Sequence, residues 1–167
     1  LEQLTFVVAF LAALGTAILA GNFFAFSAYL MTAIRGLSPE RGIVAMQAIT
    51  KAIKKRPFVI VFFGTDALCA VLVVLALFQW GQPQSAYWLT GSLLFLLGSF
   101  LVTMVRHVPL NAKIAAVSPD SIDGIILWKS VPAAWSAWNH VRTVTTLLAC
   151  AFLIMGLVEG GNPFGAN

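Results

Sequence analysis

An all-α fold is what this sequence predicts: a four-transmembrane-helix bundle, with short amphipathic helices between the first and second and between the third and fourth spans. Three observations predict it. The 167 residues are 60 % hydrophobic and 10 % charged, with a mean hydropathy of +0.92, whereas soluble domains carry about 25 % charged residues. Ten basic and six acidic residues cannot coat a soluble globule of this size, and so apolar a chain is not a disordered one. Second, four apolar runs are each long enough for the roughly 20 helical residues that a bilayer requires. Third, the basic residues are segregated along the chain in the way that sets membrane orientation.

The spans fall at residues 4–33, 58–80, 87–106 and 133–158 of a single membrane domain over residues 1–167. With no water in the hydrocarbon, each must satisfy its backbone internally, so helices are the default. The first run has no basic leading segment and exceeds the about 7–15 apolar residues of a signal peptide, so it reads as a retained span. A start at Leu1 without Met reads as a few residues either removed or not included ahead of it. Along the first span small residues recur at every fourth position, Ala9, Ala13, Ala17, Gly21 and Ala25. This pattern lets membrane helices approach closely, either inside the bundle or at a homo-oligomer seam. The fourth span has Ser130 as a prospective N-cap and Pro132 in its first turn. Cys69 and Cys150 lie in apolar runs and act there as small hydrophobes, with no bearing on redox compartment.

Segment 34–57 holds Arg35, Arg41, Lys51, Lys54, Lys55 and Arg56, and segment 107–132 with its flanks holds Arg106, Lys113, Lys129 and Arg142. These are all ten basic residues, and they share one side of the membrane. The positive-inside rule makes both segments cytoplasmic and both termini external, in the plasma membrane (the inner membrane in a bacterium). The positive balance is an orientation signal with some attraction to anionic lipid at 51–56, so nucleic acid is not an expected partner. Ser38-Pro39-Glu40 and Ser118-Pro119-Asp120, 80 residues apart, both read as helix starts. After the first, Ile43, Met46, Ile49 and Ile53 form an apolar stripe opposite Arg41, Lys51 and Lys55; Ile122, Ile125 and Ile126 follow the second.

Ionisable and amide side chains inside spanning helices are costly and point to function. Counted from the external ends at 1.5 Å per residue, Asp66 lies about 21 Å deep, Arg142 about 25 Å, Asn22 about 27 Å, His140 about 28 Å and His107 about 30 Å. Five polar side chains from four helices therefore converge near the cytoplasmic edge of the hydrocarbon. Trp135, Trp138, Asn139 and Arg142 stand at i, i+3, i+4 and i+7, on one face of the fourth helix. That stripe suits the wall of a pocket for a flat, partly polar molecule; the competing reading is an interfacial aromatic belt with a snorkelling Arg. Pro109 is expected to kink or end the third helix, with His107 and Asn111 facing one site if a turn continues beyond it. The depths of Asp66 and Arg142 agree within a helical turn, so the two are expected to pair.

Val108-Pro109-Leu110-Asn111 after the third span and Trp138-Asn139-x-x-Arg142 in the fourth resemble the anthrone oxygenase-like family of small four-helix membrane proteins. Gly21-Asn22-Phe23-Phe24 in the first span and the four-span layout extend the likeness over nearly the whole chain. The resemblance implies the four-helix membrane fold and, by the family's naming, insertion of oxygen at the activated methylene of an anthrone. It brings no residue roles with it.

Three functions remain open from the residues. The first is oxidation of a hydrophobic aromatic, anthrone- or quinol-like, substrate from the lipid. His107 or His140 would serve as base, Arg142 with Asn111 or Asn139 would stabilise an oxyanion, and Trp135 and Trp138 would stack on the rings, with Asn22 and Asp66 nearby. The second is a haem or metal site drawing on the two His and Asp66, although no ligand pair is spaced within one helix. The third is a non-enzymatic protein that binds a hydrophobic small molecule or lipid such as a quinone, or a membrane-complex subunit. No cofactor is identified by the sequence.

Overall fold

The structure, a computed structural model, describes residues 2–161 and 163–164; Leu1 lies outside them. Six helices follow in order: α1 (Glu2–Arg35), α2 (Pro39–Ile53), α3 (Arg56–Phe78), α4 (Ser85–Ala116), α5 (Ile122–Trp128) and α6 (Val131–Gly160). No strand occurs among the described residues. Four runs are long and apolar enough to cross a membrane: α1, α3, α4, and α5 with α6, which only a turn separates. They mark the chain as a membrane protein.

The helices pack as a square. α1 lies against α3 and α6, and α4 lies against the same two, so α3 and α6 stand on a diagonal. Close approach comes from small residues. Gly15 of α1 leaves room for Thr65 of α3, and Gly98 of α4 for Thr145 of α6. The four-residue ladder of α1 serves only in part. Ala9 and Ala13 are buried, but Ala17 and Gly21 are exposed, because each four-residue step drifts by about 40° round a helix of 3.6 residues per turn. Ala12, Thr16 and Ala20 take over the buried face.

α2 folds beneath one end of this square, the end that carries the basic connections. Its apolar stripe, Ile43 and Met46, packs with Met31, Ile34, Ile114, Trp128, Val131 and Trp135. Gln47 pins it by donating to the carbonyls of Ile114 (2.9 Å) and Val117 (3.0 Å) at the end of α4. Ser38 is its N-cap and Pro39 its first residue, as the sequence predicts. Ser118-Pro119-Asp120 does not start the other short helix. The Ser118 hydroxyl donates to Asp120 Oδ1 (2.6 Å) in a turn, and Ser121 caps α5 by accepting from the Gly124 amide (3.0 Å). The two Ser-Pro-acid triplets therefore do different jobs. Ser130 and Pro132 begin α6 as anticipated.

Pro109 neither ends nor interrupts α4, which runs on to Ala116. The turn before it, Thr103–His107, is π-helical, as are Leu96–Leu101 and, in α1, Phe26–Leu30. The wider turn changes the pairing just where a proline lacks its amide and would crowd the preceding carbonyls, so helix continues past it.

Candidate functional site

Between the basic ends of α1, α3, α4 and α6, and above α2, lies a cavity of about 270 Å³. Its wall is mostly apolar: Phe23 and Phe26, Met46, Ile49 and Ile53, Phe58 and Phe62, Met104 and Trp135. The polar groups lining it are Asn22, Thr50, Lys54, Thr103, His107, Asn111 and Arg142. Two of the π-helical turns supply wall residues, Phe26 from one and Thr103, Met104 and His107 from the other. Such turns concentrate at functional sites because they re-aim side chains.

Arg142 dominates the chamber. It is 6 % exposed. Its Nη1 donates to Thr103 Oγ1 (3.1 Å) and its Nη2 to Asn139 Oδ1 (2.7 Å), while Nε has no partner. The guanidinium lies 4.2 Å from the Phe23 ring centroid and 5.6 Å from that of Trp135. Among the described residues no carboxylate pairs with it. The expected Asp66–Arg142 pair does not form, and both carboxylate oxygens of Asp66 are unpartnered. Equal depth was not enough, since Asp66 stands on α3 and Arg142 on the diagonally placed α6.

Asn139 is fully buried behind Arg142. Its Nδ2 donates to the Phe23 carbonyl (2.9 Å) and to Ser27 Oγ (2.8 Å), and Ser27 in turn meets Thr143 Oγ1 at 2.8 Å. It thus clamps α1 to α6 and orients the guanidinium, without lining the cavity itself. Asn111 accepts from Trp135 Nε1 (3.0 Å), which holds both side chains at the wall and leaves the Asn111 amide NH₂ unengaged. The His107 ring meets Trp135 edge-on, with centroids 4.8 Å apart. His107 is 1 % exposed, and although the backbones of Trp135 and Val102 approach it, neither ring nitrogen completes a hydrogen bond.

Of the nine residues singled out from sequence, the structure brings Asn22, His107, Asn111, Trp135 and Arg142 to the cavity wall, with Asn139 directly behind. Three lie elsewhere. His140 is exposed on the outer face of α6. Trp138 lies on that helix's flank under Arg106, 4.5 Å from the cation to the ring centroid. Asp66 is one turn beyond the cavity wall. The two His therefore do not face a common site, and the described residues contain no group of three His, Cys, Asp or Glu able to hold a metal. Sequence reasoning missed the contribution of α2, whose apolar stripe was visible as an amphipathic pattern but was not placed at the site. It also missed Phe62 and Thr103, which nothing distinguishes from their neighbours in an apolar run, and it quoted Phe23 only within the motif of the resemblance.

Fold and site together define a four-helix membrane protein with a mostly apolar internal chamber, an uncompensated arginine and a buried histidine. A sequence model of one family, described as anthrone oxygenase, matches residues 58–152, from the start of α3 well into α6. The chain belongs to that family. No curated protein and no solved structure matches it.

Proposed function

We propose that the chamber takes a flat, hydrophobic hydroxy- or keto-aromatic molecule from the surrounding lipid and oxidises it with O₂. The observation that carries this reading is the buried Arg142 guanidinium, which faces the cavity with an unpartnered Nε and no carboxylate against it. A cation in so apolar a place favours a ligand that is, or becomes, an oxyanion. Membership of the anthrone oxygenase family supports the same chemistry.

For an anthrone-like methylene, His107 is placed to remove one C–H proton, its unprotonated ring nitrogen free to accept it. The negative charge moves onto the carbonyl oxygen, where Arg142 and the free amide of Asn111 or Asn22 stabilise it. The electron-rich carbon gives electrons to O₂ and forms a C–O bond, and the peroxide takes up a proton. Loss of the second C–H proton with cleavage of O–O then leaves a ketone and one water. Phe23, Phe26 and Trp135 supply the ring contacts and keep water out. The basic end faces the cytoplasm and both termini lie outside in this reading, in accord with the charge distribution. An impermeant thiol reagent tests this: Gln82→Cys should label from outside intact cells and Ser118→Cys only after lysis.

The direct test is oxygen consumption by the protein in lipid nanodiscs with 1,8-dihydroxyanthrone, measured above spontaneous oxidation together with the rise of quinone absorbance. Turnover that is lost in His107→Ala and Arg142→Ala supports the reading. Binding of the anthrone without oxygen consumption overturns it and leaves a non-enzymatic binding protein.

A further inference from the structure

Three cavity-wall residues, Phe62 on α3, Thr103 on α4 and Arg142 on α6, each have a polar residue one helical turn farther from the basic end: Asp66, Ser99 and Thr146. Side chains four apart share a helix face. The three groups therefore form a layer directly over the chamber. Ring contacts set its register. Phe100 of α4 lies 6.1 Å from Phe62 and 6.3 Å from Phe63, centroid to centroid. One turn up α3, a rise of roughly 6 Å, places Asp66 between the levels of Ser99 and Ser92. Gly98 against Thr145 on antiparallel helices brings Ser99 and Thr146 to within about 3 Å of a common level across α4 and α6.

The layer is closed to its surroundings. Asp66 is 8 % exposed, and Ser92, Ser99 and Thr146 are completely buried. Neither carboxyl oxygen of Asp66 makes a hydrogen bond among the described residues, and neither does the hydroxyl of Ser99 or Thr146, while Ser92 has the Cys69 thiol beside it. No charge opposes the carboxyl. α1 contributes Thr16, whose hydroxyl is spent on the Ala13 carbonyl (2.9 Å); α3 itself contributes Cys69, one turn on. The one cation on α6, Arg142, is a turn below Thr146 and engaged with Asn139 and Thr103.

We propose that Asp66 is a second functional site, a proton-holding carboxyl that exchanges its proton with the chamber through the hydroxyls of Ser99 and Thr146. A bare carboxylate here would have neither water nor counter-charge, so it is neutralised by a proton. A hydroxyl both donates and accepts, so on turning toward a neighbour it passes a proton by accepting one on its lone pair and releasing its own. None of the three groups is hydrogen-bonded at rest among the described residues, and each transfer waits on such a rotation. Nothing is oxidised, and the return transfer restores every group. The site is a proton store for whatever proton-transfer chemistry the chamber performs, and it does not depend on the oxygenase reading.

Infrared spectroscopy of the protein in nanodiscs tests it without turnover. At neutral pH the wild type should show the carbonyl stretch of a neutral carboxylic acid, and Asp66→Asn should lack it; the other five acidic residues lie at helix ends or in connections. Asp66→Leu gives the same comparison should the amide fail to fold. In D₂O the band shifts as the proton exchanges. The double variant Ser99→Ala/Thr146→Val should keep the band but exchange about tenfold more slowly or worse. Both substitutions remove unpartnered buried polar atoms, so the fold should survive them. A spectrum unchanged by Asp66→Asn overturns the proton-holding carboxyl, and exchange as fast in the double variant as in wild type overturns the path.

Discussion

The two ends of the bundle are built from different residues. Away from the basic connections the core is Ala9, Ala12, Ala13, Leu72, Ala76, Trp88, Phe95, Ala149 and Leu153, with Gly91 set against the Ala149 carbonyl and Gly156 against the Trp88 ring. Small residues there make room for large ones, as Gly156 does for Trp88. At the basic end Phe23, Phe26, Phe62 and Trp135 stand in the equivalent places, around Arg142 and His107. Large rings and a hydrogen-bonded guanidinium surround the cavity there, and α2 covers it from below. One end supplies rigidity and the other the volume in which chemistry can occur.

The comparison is broken most strongly at His107. Replacing it by Ala should lower turnover by about 10²–10⁴, the range of a lost general base, while leaving anthrone binding nearly intact. Steady-state kinetics beside a binding titration would separate the two, and equal losses in both would assign His107 to binding instead. Arg142→Ala should weaken binding of an oxyanionic aromatic by about 2 kcal/mol, roughly thirtyfold, as fluorescence titration would show. It also orphans Asn139 Oδ1, although Thr103 keeps its bond to the Ser99 carbonyl, so a melting curve should accompany it.

At the other end the prediction reverses. A Cβ at Gly91 would stand 3.0 Å from the Ala149 carbonyl and 3.1 Å from the Leu153 side chain. Gly91→Leu should therefore cost about 1–3 kcal/mol of stability, read as a lower melting temperature, with ligand affinity of the folded fraction unchanged. His140→Ala, on the outer face, should shift stability by less than about 0.5 kcal/mol and leave binding untouched. A large loss of activity there would mean that the chamber is not the site.

The smallest effect concerns α2. Its own backbone amide and the Ser38 hydroxyl hold the Glu40 carboxyl below the usual carboxylate range. The stabilisation this gives the start of the helix is in place above the ordinary glutamate range and is lost as pH falls through the lowered value. Amide exchange in the first turn of α2 should rise on acidification, and Glu40→Gln should remove that dependence.

Much of this was legible in the chain itself. Hydropathy alone located four spans, since a helix in lipid needs a continuous apolar run and nothing else imitates one. The helical spacing of Ile43, Met46 and Ile49 announced α2, and the common depth of Asn22, His107 and Arg142 announced that polar groups meet near one end. Depth, however, is a coordinate along the membrane normal. It says nothing of which helix neighbours which, and so it joined Asp66 to Arg142 across a diagonal and placed His140 inside when it faces out. The π-helical turns were equally invisible, because they depend on how α1 and α4 accommodate their neighbours and, before Pro109, on a pairing change that preserves the helix.

Sequence by itself determined the membrane class, the number of spans and the end at which polarity collects, because each follows from local transfer of side chains between lipid and water. Tertiary structure decided which of those polar groups share a chamber, that Arg142 is clamped by Asn139 without a counter-charge, and that Asp66 stands in a layer of its own. Those outcomes turn on the rotation and adjacency of packed helices, which are set by contacts between residues far apart in the chain.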